Sequence, residues 1–201
     1  MITHKFEDHD QWMEYRRGKI TGSRLSDVVS TKETVKKIGF YELIAERIGI
    51  PGDGEDPMDR GHRLEEDAIE RFTESTGKVV DNSLIVWESS DNSSMAVSPD
   101  GIIGETEAVE VKCLSSARHI EAFMGAGVPK DFKYQVLQYF IVNEKLETLY
   151  LCFYDPRLKV KDFFFKTIDR SHLAGEIEEI KKYEQDMLSE VDGIVDSMMK
   201  F

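Results

Sequence analysis

The residues whose types and spacing could do chemistry are Ser98-Pro99-Asp100-Gly101 and, nine positions beyond that glycine, Glu110-Val111-Lys112. From Ala108 to Cys113 the chain alternates apolar and charged residues as a strand does, so Glu110 and Lys112 share one face. Two carboxylates and an ammonium on one small sheet face are costly to bury without a purpose. A divalent cation changes that balance. Carboxylate oxygens are natural ligands for Mg²⁺, and a lysine can hold a metal-bound water or help to deprotonate it. The chemistry such a set supports is metal-assisted hydrolysis of a phosphodiester. The triplet alone does not carry that reading, because a chain with 32% charged residues contains such patterns by chance.

Three further residues join the candidates. Glu65 sits beside the apolar stripe of a helix, where a solvated acid is the plain interpretation. Gln135 and Tyr139 lie four apart on a predicted helix over 130–143, hence on one face, where the plain interpretation is a core tyrosine with a glutamine beside it.

The elements that must position these residues follow from periodicity and capping. Helical signals dominate residues 8–76. Asp8 or Asp10 caps a short helix that ends near Gly18, and Ser23 caps a second with Leu25, Val28 and Val29 facing inward. A third helix spans 33–48, a Pro/Gly-rich loop spans 51–57, and a fourth helix carries Leu64, Ala68, Ile69 and Phe72 up to Gly77. Strands are expected at 84–87, 95–98, 101–103 and 108–113. A helix begins at Ser115 or Ser116 and stops around Gly125, and the helix over 130–143 follows. Strands at 148–154 and 161–168 precede a long helix over about 171–199. In that last helix Ile177, Ile180, Met187, Val191, Ile194 and Met198 form a seam interrupted by Glu184. The seam either packs on the protein's own sheet, the preferred reading, or contacts another subunit or partner. This order predicts an α/β (α+β) fold with a mixed sheet flanked by helices, in one domain over 1–201: helical part 8–76, sheet core 79–168, carboxyl-terminal helix 171–199.

Composition bounds the function. The chain has 201 residues and 40% hydrophobic content, with no stretch long enough for a transmembrane helix and no signal-peptide core at its start, so a cytoplasmic protein without a membrane role is expected. Cys113 and Cys152 are its only cysteines, which excludes a cysteine-rich zinc or iron–sulfur site in this chain. The five histidines lack metal-ligand spacing, and most are expected at the surface. A net charge of −13 argues against a general nucleic-acid coat protein but not against a nuclease. Within the nine residues from Arg16 to Arg24, four cations suggest a local patch able to hold one phosphate.

Taken together, Arg16-x-Gly18-x-Ile20-Thr21-x-Ser23, Gly61-x-x-x-Glu65-x-x-Ala68, Ser98-Pro99-Asp100-Gly101, Glu110-Val111-Lys112-Cys113, Gln135-x-x-x-Tyr139 after Pro129, and Tyr154-Asp155-Pro156-Arg157 carry a resemblance. In that order, from Trp12 to about Arg157, the chain resembles the lambda-exonuclease-like (YqaJ-type) viral recombination nucleases of the PD-(D/E)XK superfamily. The resemblance implies a PD-(D/E)XK nuclease-like mixed central sheet flanked by helices. It also implies a Mg²⁺-dependent 5′→3′ exonuclease acting on double-stranded DNA ends, with Mn²⁺ as a substitute. The setting would be phage or prophage recombination in the bacterial host cytoplasm. It implies a homotrimer and a single-strand annealing protein that receives the 3′ overhang. By motif, Asp100, Glu110, the Val111 carbonyl and Glu65 would hold the metal, Lys112 would orient and activate the attacking water, and Gln135 would hold the lysine, the water or the phosphate. Tyr139 would serve packing more than chemistry. Arg16, Ser23 and Ser98 would anchor the terminal 5′ phosphate, with Arg17 as the adjacent alternative to Arg16. The alternatives are an endonuclease or repair nuclease of the same superfamily and, outside enzymes, a DNA-end-binding module with a degenerate site. The intact Asp100, Glu110 and Lys112 argue against the last.

Overall fold

A computed structural model describes residues 1–29, 37–47 and 58–200 of the chain. Strand β1 (Ile2–Lys5) leads into α1 (His9–Arg16), α2 (Leu25–Val28), α3 (Ile38–Arg47) and α4 (Met58–Thr76). Four strands follow: β2 (Ile85–Glu88), β3 (Ala96–Val97), β4 (Gly101–Ile103) and β5 (Glu107–Lys112). Helices α5 (Ser116–Met124) and α6 (Lys133–Val142) then precede β6 (Thr148–Tyr154), β7 (Phe163–Asp169) and α7 (Ala174–Met199). The predicted helix over 33–48 is described only as α3, and its first residues and the predicted loop over 51–57 lie outside the described residues.

The mixed sheet has the order β4-β5-β6-β7, with β5 and β6 parallel and the other pairs antiparallel. A parallel pair needs a long crossover, which α5 and α6 supply between β5 and β6. The expected run of early strands does not stay in one sheet. β2 and β3 join β1 in a second, antiparallel sheet ordered β1-β2-β3. β1 was not foreseen: Ile2-Thr3-His4-Lys5 has one apolar residue, and pairing with the buried β2 makes it a strand.

Local chemistry explains most ends. The Asp8 carboxylate accepts from the Asp10 amide to cap α1, and Ser115 caps α5 through the Arg118 amide. Ser23 does not cap α2. That helix begins after Arg24 without a side-chain cap, because the Thr21 carbonyl already accepts from the amides of Arg24 and Leu25 in a turn. Gly18 and Gly77, at φ 70° and 71°, end their helical segments in the left-handed region open to glycine.

The strand period divides the core. Leu149, Leu151 and Phe153 of β6 enter the main cluster with α6, whereas Tyr150, Cys152 and Tyr154 face the cluster built on Ala68, Ile69 and Phe72 of α4. Helix α7 buries Ile177, Met187, Leu188 and Val191 in the main core. Its main packing partners are α6 and α3, where the preferred reading had placed it on the protein's own sheet. Of the described histidines, His119 is the buried one, with its ring nitrogen 2.8 Å from the Lys161 carbonyl oxygen.

Glu184, the break in the α7 seam, is fully buried and accepts from the Gln138 amide at 2.8 Å. Burial pushes its carboxyl up to about 8, against the smaller opposing pull of that bond. The other oxygens of the pair, Glu184 Oε2 and Gln138 Oε1, lack donors, and a carboxyl proton supplies one. The unfolded group ionises near 4.5 while the folded one keeps its proton to about 8, so stability falls as pH rises through that window and levels above it. Glu184→Gln should flatten this slope, worth up to about 1.4 kcal/mol per pH unit. Denaturant melts at pH 5, 7 and 9 check it. An unchanged slope would show that Glu184 titrates alike in both states.

Candidate active site

Strand β5 sets the site because alternate residues face opposite sides. Val109 and Val111 pack against α4, and Glu110 with Lys112 faces α6. Glu110 is only 4% exposed, and its oxygens are well supplied with donors. Oε1 accepts from Lys112 Nζ and from Gln135 Nε2, each at 2.6 Å. Oε2 accepts from the Tyr139 hydroxyl, which also lies 3.1 Å from the Ser98 carbonyl oxygen. Gln135 and Tyr139 reach one carboxylate because four residues on α6 bring them back to the same face. Tyr139 packs, as expected, with its ring edge-on to Trp87. Its hydroxyl also holds Glu110, which the sequence reading missed although the spacing from Gln135 was the available signal. Burial first, then the charges of Glu110 and Asp100, lift that hydroxyl far above its ordinary range, so it stays a donor.

Asp100 stands where β4 runs out. The last ladder pair is Gly101 with Val109, and one further step puts Asp100 opposite Glu110. Its carboxylate accepts from the Val111 amide at 2.6 Å, taking the place of a ladder carbonyl. Burial, then Glu110, then Glu65 raise the Asp100 carboxyl well above the usual carboxylate range. For Lys112 burial alone would lower the ammonium, but Glu110, Asp100 and Glu65 outweigh it and the net shift is upward. Its Nζ also lies 5.0 Å from the centre of the Phe132 ring.

Asp100, Glu110 and Gln135 open onto a cleft of about 200 Å³ whose walls also include Trp12, Arg16, Glu65 and Ser98. The Arg16 guanidinium stacks 4.0 Å from the Trp12 ring, whose indole N–H donates to the Ile85 carbonyl at 3.3 Å. Trp12 and Arg16, four residues apart on α1, share one face of that helix. Ser98 Oγ is buried without a partner. Arg17 points elsewhere and pairs with Glu14. The four-cation run is therefore not a patch: Lys19 is bound to Glu88, Arg24 to Glu46 and Arg17 to Glu14, and among the described residues Arg16 is the cation that lines the cleft. Ser23 is exposed and outside the cleft, so the structure does not bring it to the other candidates. Val111 buries its side chain beside α4 and gives its amide to Asp100.

The donor set suits a hard divalent ion, since three carboxylates are close enough to raise Asp100 by mutual repulsion. It is not a closed cage. Among the described residues no group of three or more His, Cys, Asp or Glu side chains is preassembled around one point. Three of the four lone-pair sites of Glu110 already accept hydrogen bonds, which leaves one on Oε2.

The YqaJ-like viral recombinase domain matches residues 11–146, about two thirds of the chain and all the elements that line the cleft. The chain belongs to that family. Its fold is similar to that of an alkaline exonuclease (LHK-Exo) from Laribacter hongkongensis, with a TM-score of 0.81 and 26% identity over 95% of this chain and 96% of that one. LHK-Exo in complex with dAMP is similar at a TM-score of 0.78 and 26% identity, over 95% and 98% of the two chains. No curated protein matches by sequence. Family, fold and site together make the chain a nuclease.

Asp100→Asn keeps an acceptor for the Val111 amide and removes one of the repelling charges. In chelator at pH 7–9 it should raise stability by about 1 kcal/mol, read as a shift in thermal midpoint. Tyr139→Phe should lower stability by about 1–3 kcal/mol, because a buried Glu110 oxygen loses its donor. Opposite signs in the two melts would show that the carboxylates do not repel and that the hydroxyl bond is idle.

Proposed function

We propose that this chain is a Mg²⁺-dependent 5′→3′ exonuclease acting on double-stranded DNA ends in phage or prophage recombination, with Mn²⁺ as a substitute. It leaves 3′ overhangs for a single-strand annealing protein, works as a homotrimer, and acts in the bacterial host cytoplasm. The observation that carries this reading is one cleft that joins Asp100, Glu110 and Glu65 to a guanidinium and a buried hydroxyl without a partner. A terminal phosphate bears more charge than an internal diester, and a guanidinium fork with a hydroxyl suits it. The dAMP held by LHK-Exo is the size of product that one exonucleolytic step releases. No helix among the described residues is long and apolar enough to cross a membrane.

The residues divide the work by their chemistry. Asp100, Glu110, the Val111 carbonyl and Glu65 would hold the cation, which when bound lowers the pKa of water and neutralises charge on the phosphate and the leaving 3′ oxygen. Lys112 donates from Nζ to Glu110 Oε1 at 2.6 Å. Its upward shift comes from the three carboxylates. Neutralising those carboxylates would weaken that pull and leave burial to lower the ammonium toward the range of a general base. Gln135 fixes Glu110 Oε1 and lines the cleft. Arg16, stacked on Trp12, and Ser98, next to the metal-side Asp100, are neighbours that can hold the 5′ end while the first diester lies at the carboxylates.

Linear duplexes labelled separately at each end should lose the 5′ label first, as mononucleotides, and 5′-phosphorylated ends should be digested faster than 5′-hydroxyl ends. Arg16→Ala should erase most of that preference, at a cost of roughly 1.5–3 kcal/mol. Lys112→Ala should lose cleavage yet keep the rise in thermal midpoint caused by Mg²⁺, which Asp100→Ala and Glu110→Ala should lose together with cleavage. Internal cuts would point to an endonuclease of the same superfamily. Equal digestion of phosphorylated and hydroxyl ends would reduce Arg16 to a stacking partner of Trp12.

A further inference from the structure

A second cleft, of about 340 Å³, opens at the carboxyl ends of β5 and β6, and Leu64, Cys113, Tyr154 and Arg157 are among its walls. Its place in the fold is informative. The cleft of Arg16 and Ser98 lies on the β4 side of β5, and this one lies on the β6 side, so the two flank the end of the strand that carries Glu110 and Lys112. They meet on α4, where Leu64 lines one and Glu65 the other. Continuing the parallel register past Lys112 with Phe153 sets Cys113 beside Tyr154, and the Asp155-Pro156-Arg157 turn follows at once.

Arg157 is built into this turn. Its Nε donates to Asp155 Oδ1 at 2.6 Å and its Nη2 to the Leu114 carbonyl at 2.9 Å. Asp155 is 1% exposed, and its other oxygen accepts from Ser116 Oγ at 2.6 Å. Arg157 is the largest cause that lowers the Asp155 carboxyl to about 2, so the pair stays ionised throughout the working range. Two of the five guanidinium N–H groups are used, and the remaining three have no partner among the described residues. The side chain is 48% exposed and is the one cation among the described residues lining the cleft, whose other charged group, Asp155, is already neutralised. A planar fork, fixed along one edge by a buried acid and open along the other, is suited to a phosphate oxygen pair.

We infer that Arg157 forms a second phosphate subsite, which takes the phosphodiester on the 3′ side of the scissile bond in the strand being cut. The inference rests on the exonuclease reading above. With the 5′ end on the β4 side and the scissile bond at the end of β5, the strand continues toward the β6 side, and its next phosphate meets the open edge of Arg157. Such a contact aligns the strand and keeps the remaining DNA on the enzyme after each cut.

The test uses the full chain with Mg²⁺ and duplexes carrying one neutral methylphosphonate, either at the linkage just 3′ of the first scissile bond or ten linkages inward. Release of the first nucleotide by the unmodified protein should slow about ten- to a hundredfold with the near substitution only. Arg157→Met should slow the unmodified duplex by a similar factor and respond no further to the methylphosphonate, and Arg157→Lys should recover part of the loss. A double variant, Asp155→Asn with Arg157→Met, avoids stranding the buried acid and should behave as Arg157→Met does. An unmodified protein indifferent to the near methylphosphonate, or an Arg157→Met protein that keeps the full penalty, overturns the subsite and leaves Arg157 as a tie between β6 and the start of α5. Absence of any end digestion by the unmodified protein would instead overturn the exonuclease reading, and the subsite with it.

Discussion

Burying an ionised carboxylate in a central strand costs several kcal/mol unless its oxygens find donors, and Glu110 in β5 is such a group. The donors that satisfy it come from three directions. Lys112 comes from its own strand, Gln135 and Tyr139 from α6, and the Tyr139 hydroxyl also bridges to the chain at Ser98. One buried charge therefore fixes the crossover helix to the sheet and both to the segment that delivers Asp100. Asp100 adds a second tie through the Val111 amide. The network is satisfied around Glu110 and strained around Asp100, whose carboxyl is raised by burial first and then by its acidic neighbours. That asymmetry suits the proposed cation site: a scaffold that persists without an ion, and a residual repulsion that an ion would relieve.

Charge outside the site works against nucleic acid. The chain carries a net charge of −13, and Lys19 and Arg24, which sequence alone would pool with Arg16, are spent on Glu88 and Glu46. Long-range attraction to a polyanion is therefore weak, and binding has to come from a few short, charge-assisted hydrogen bonds at defined points. Arg16 has the features such a point needs. It is held on an aromatic face in a cleft, so little side-chain freedom is lost when an anion arrives. A protein of this kind discriminates an end from an internal stretch more readily than a basic one does, because it gains little from contacts spread along the duplex.

The parts of this arrangement that could be read from sequence are those fixed by near neighbours. The period-2 alternation of β5 places Glu110 and Lys112 on one face, the i, i+4 spacing places Gln135 with Tyr139, and Ser115 and Gly77 mark helix ends by their own chemistry. What escaped depends on partners far along the chain. β1 is a strand only because β2 accepts it 84 residues on at the Thr3–Trp87 pair, and its own pattern is too polar to say so. The cation run from Arg16 to Arg24 looks like a patch until Glu46 and Glu88 are known to fold onto it. Ser23 carries a capping residue type, but the Thr21 carbonyl takes the amides first. Tyr139 read as packing because its ring is apolar, and nothing local tells where a hydroxyl buried on α6 will point. α7 showed its apolar seam but not its partner, because a stripe specifies burial and not which surface provides it.

The placement of Arg16 relative to Asp100 depends on a clamp that is not itself chemical. Ile20, fully buried, donates its amide to Ser94 at 2.7 Å and accepts from the Ala96 amide at 3.0 Å, adding a bridge to the edge of the β1-β2-β3 sheet. The same carbonyl lies 3.2 Å from Gln138 Nε2, and Gln138 in turn binds Glu184 of α7. Two residues on, Gly22 sits so close to α6 that a Cβ there would lie 3.1 Å from Gln135 Cγ and 3.0 Å from Val97 Cγ2. The amino-terminal segment is thus pressed onto the helix that supplies Gln135 and Tyr139 to Glu110. Sites that bind a phosphate with one group and cleave its neighbour with another tolerate errors of only about 0.5 Å between the two. In the proposed division of work between Arg16 and Asp100, that requirement is met by a small residue where the backbone must approach, by the bridge of Ile20 to the sheet edge, and by a chain of buried amide and acid groups that runs from α7 through α6 to Ile20.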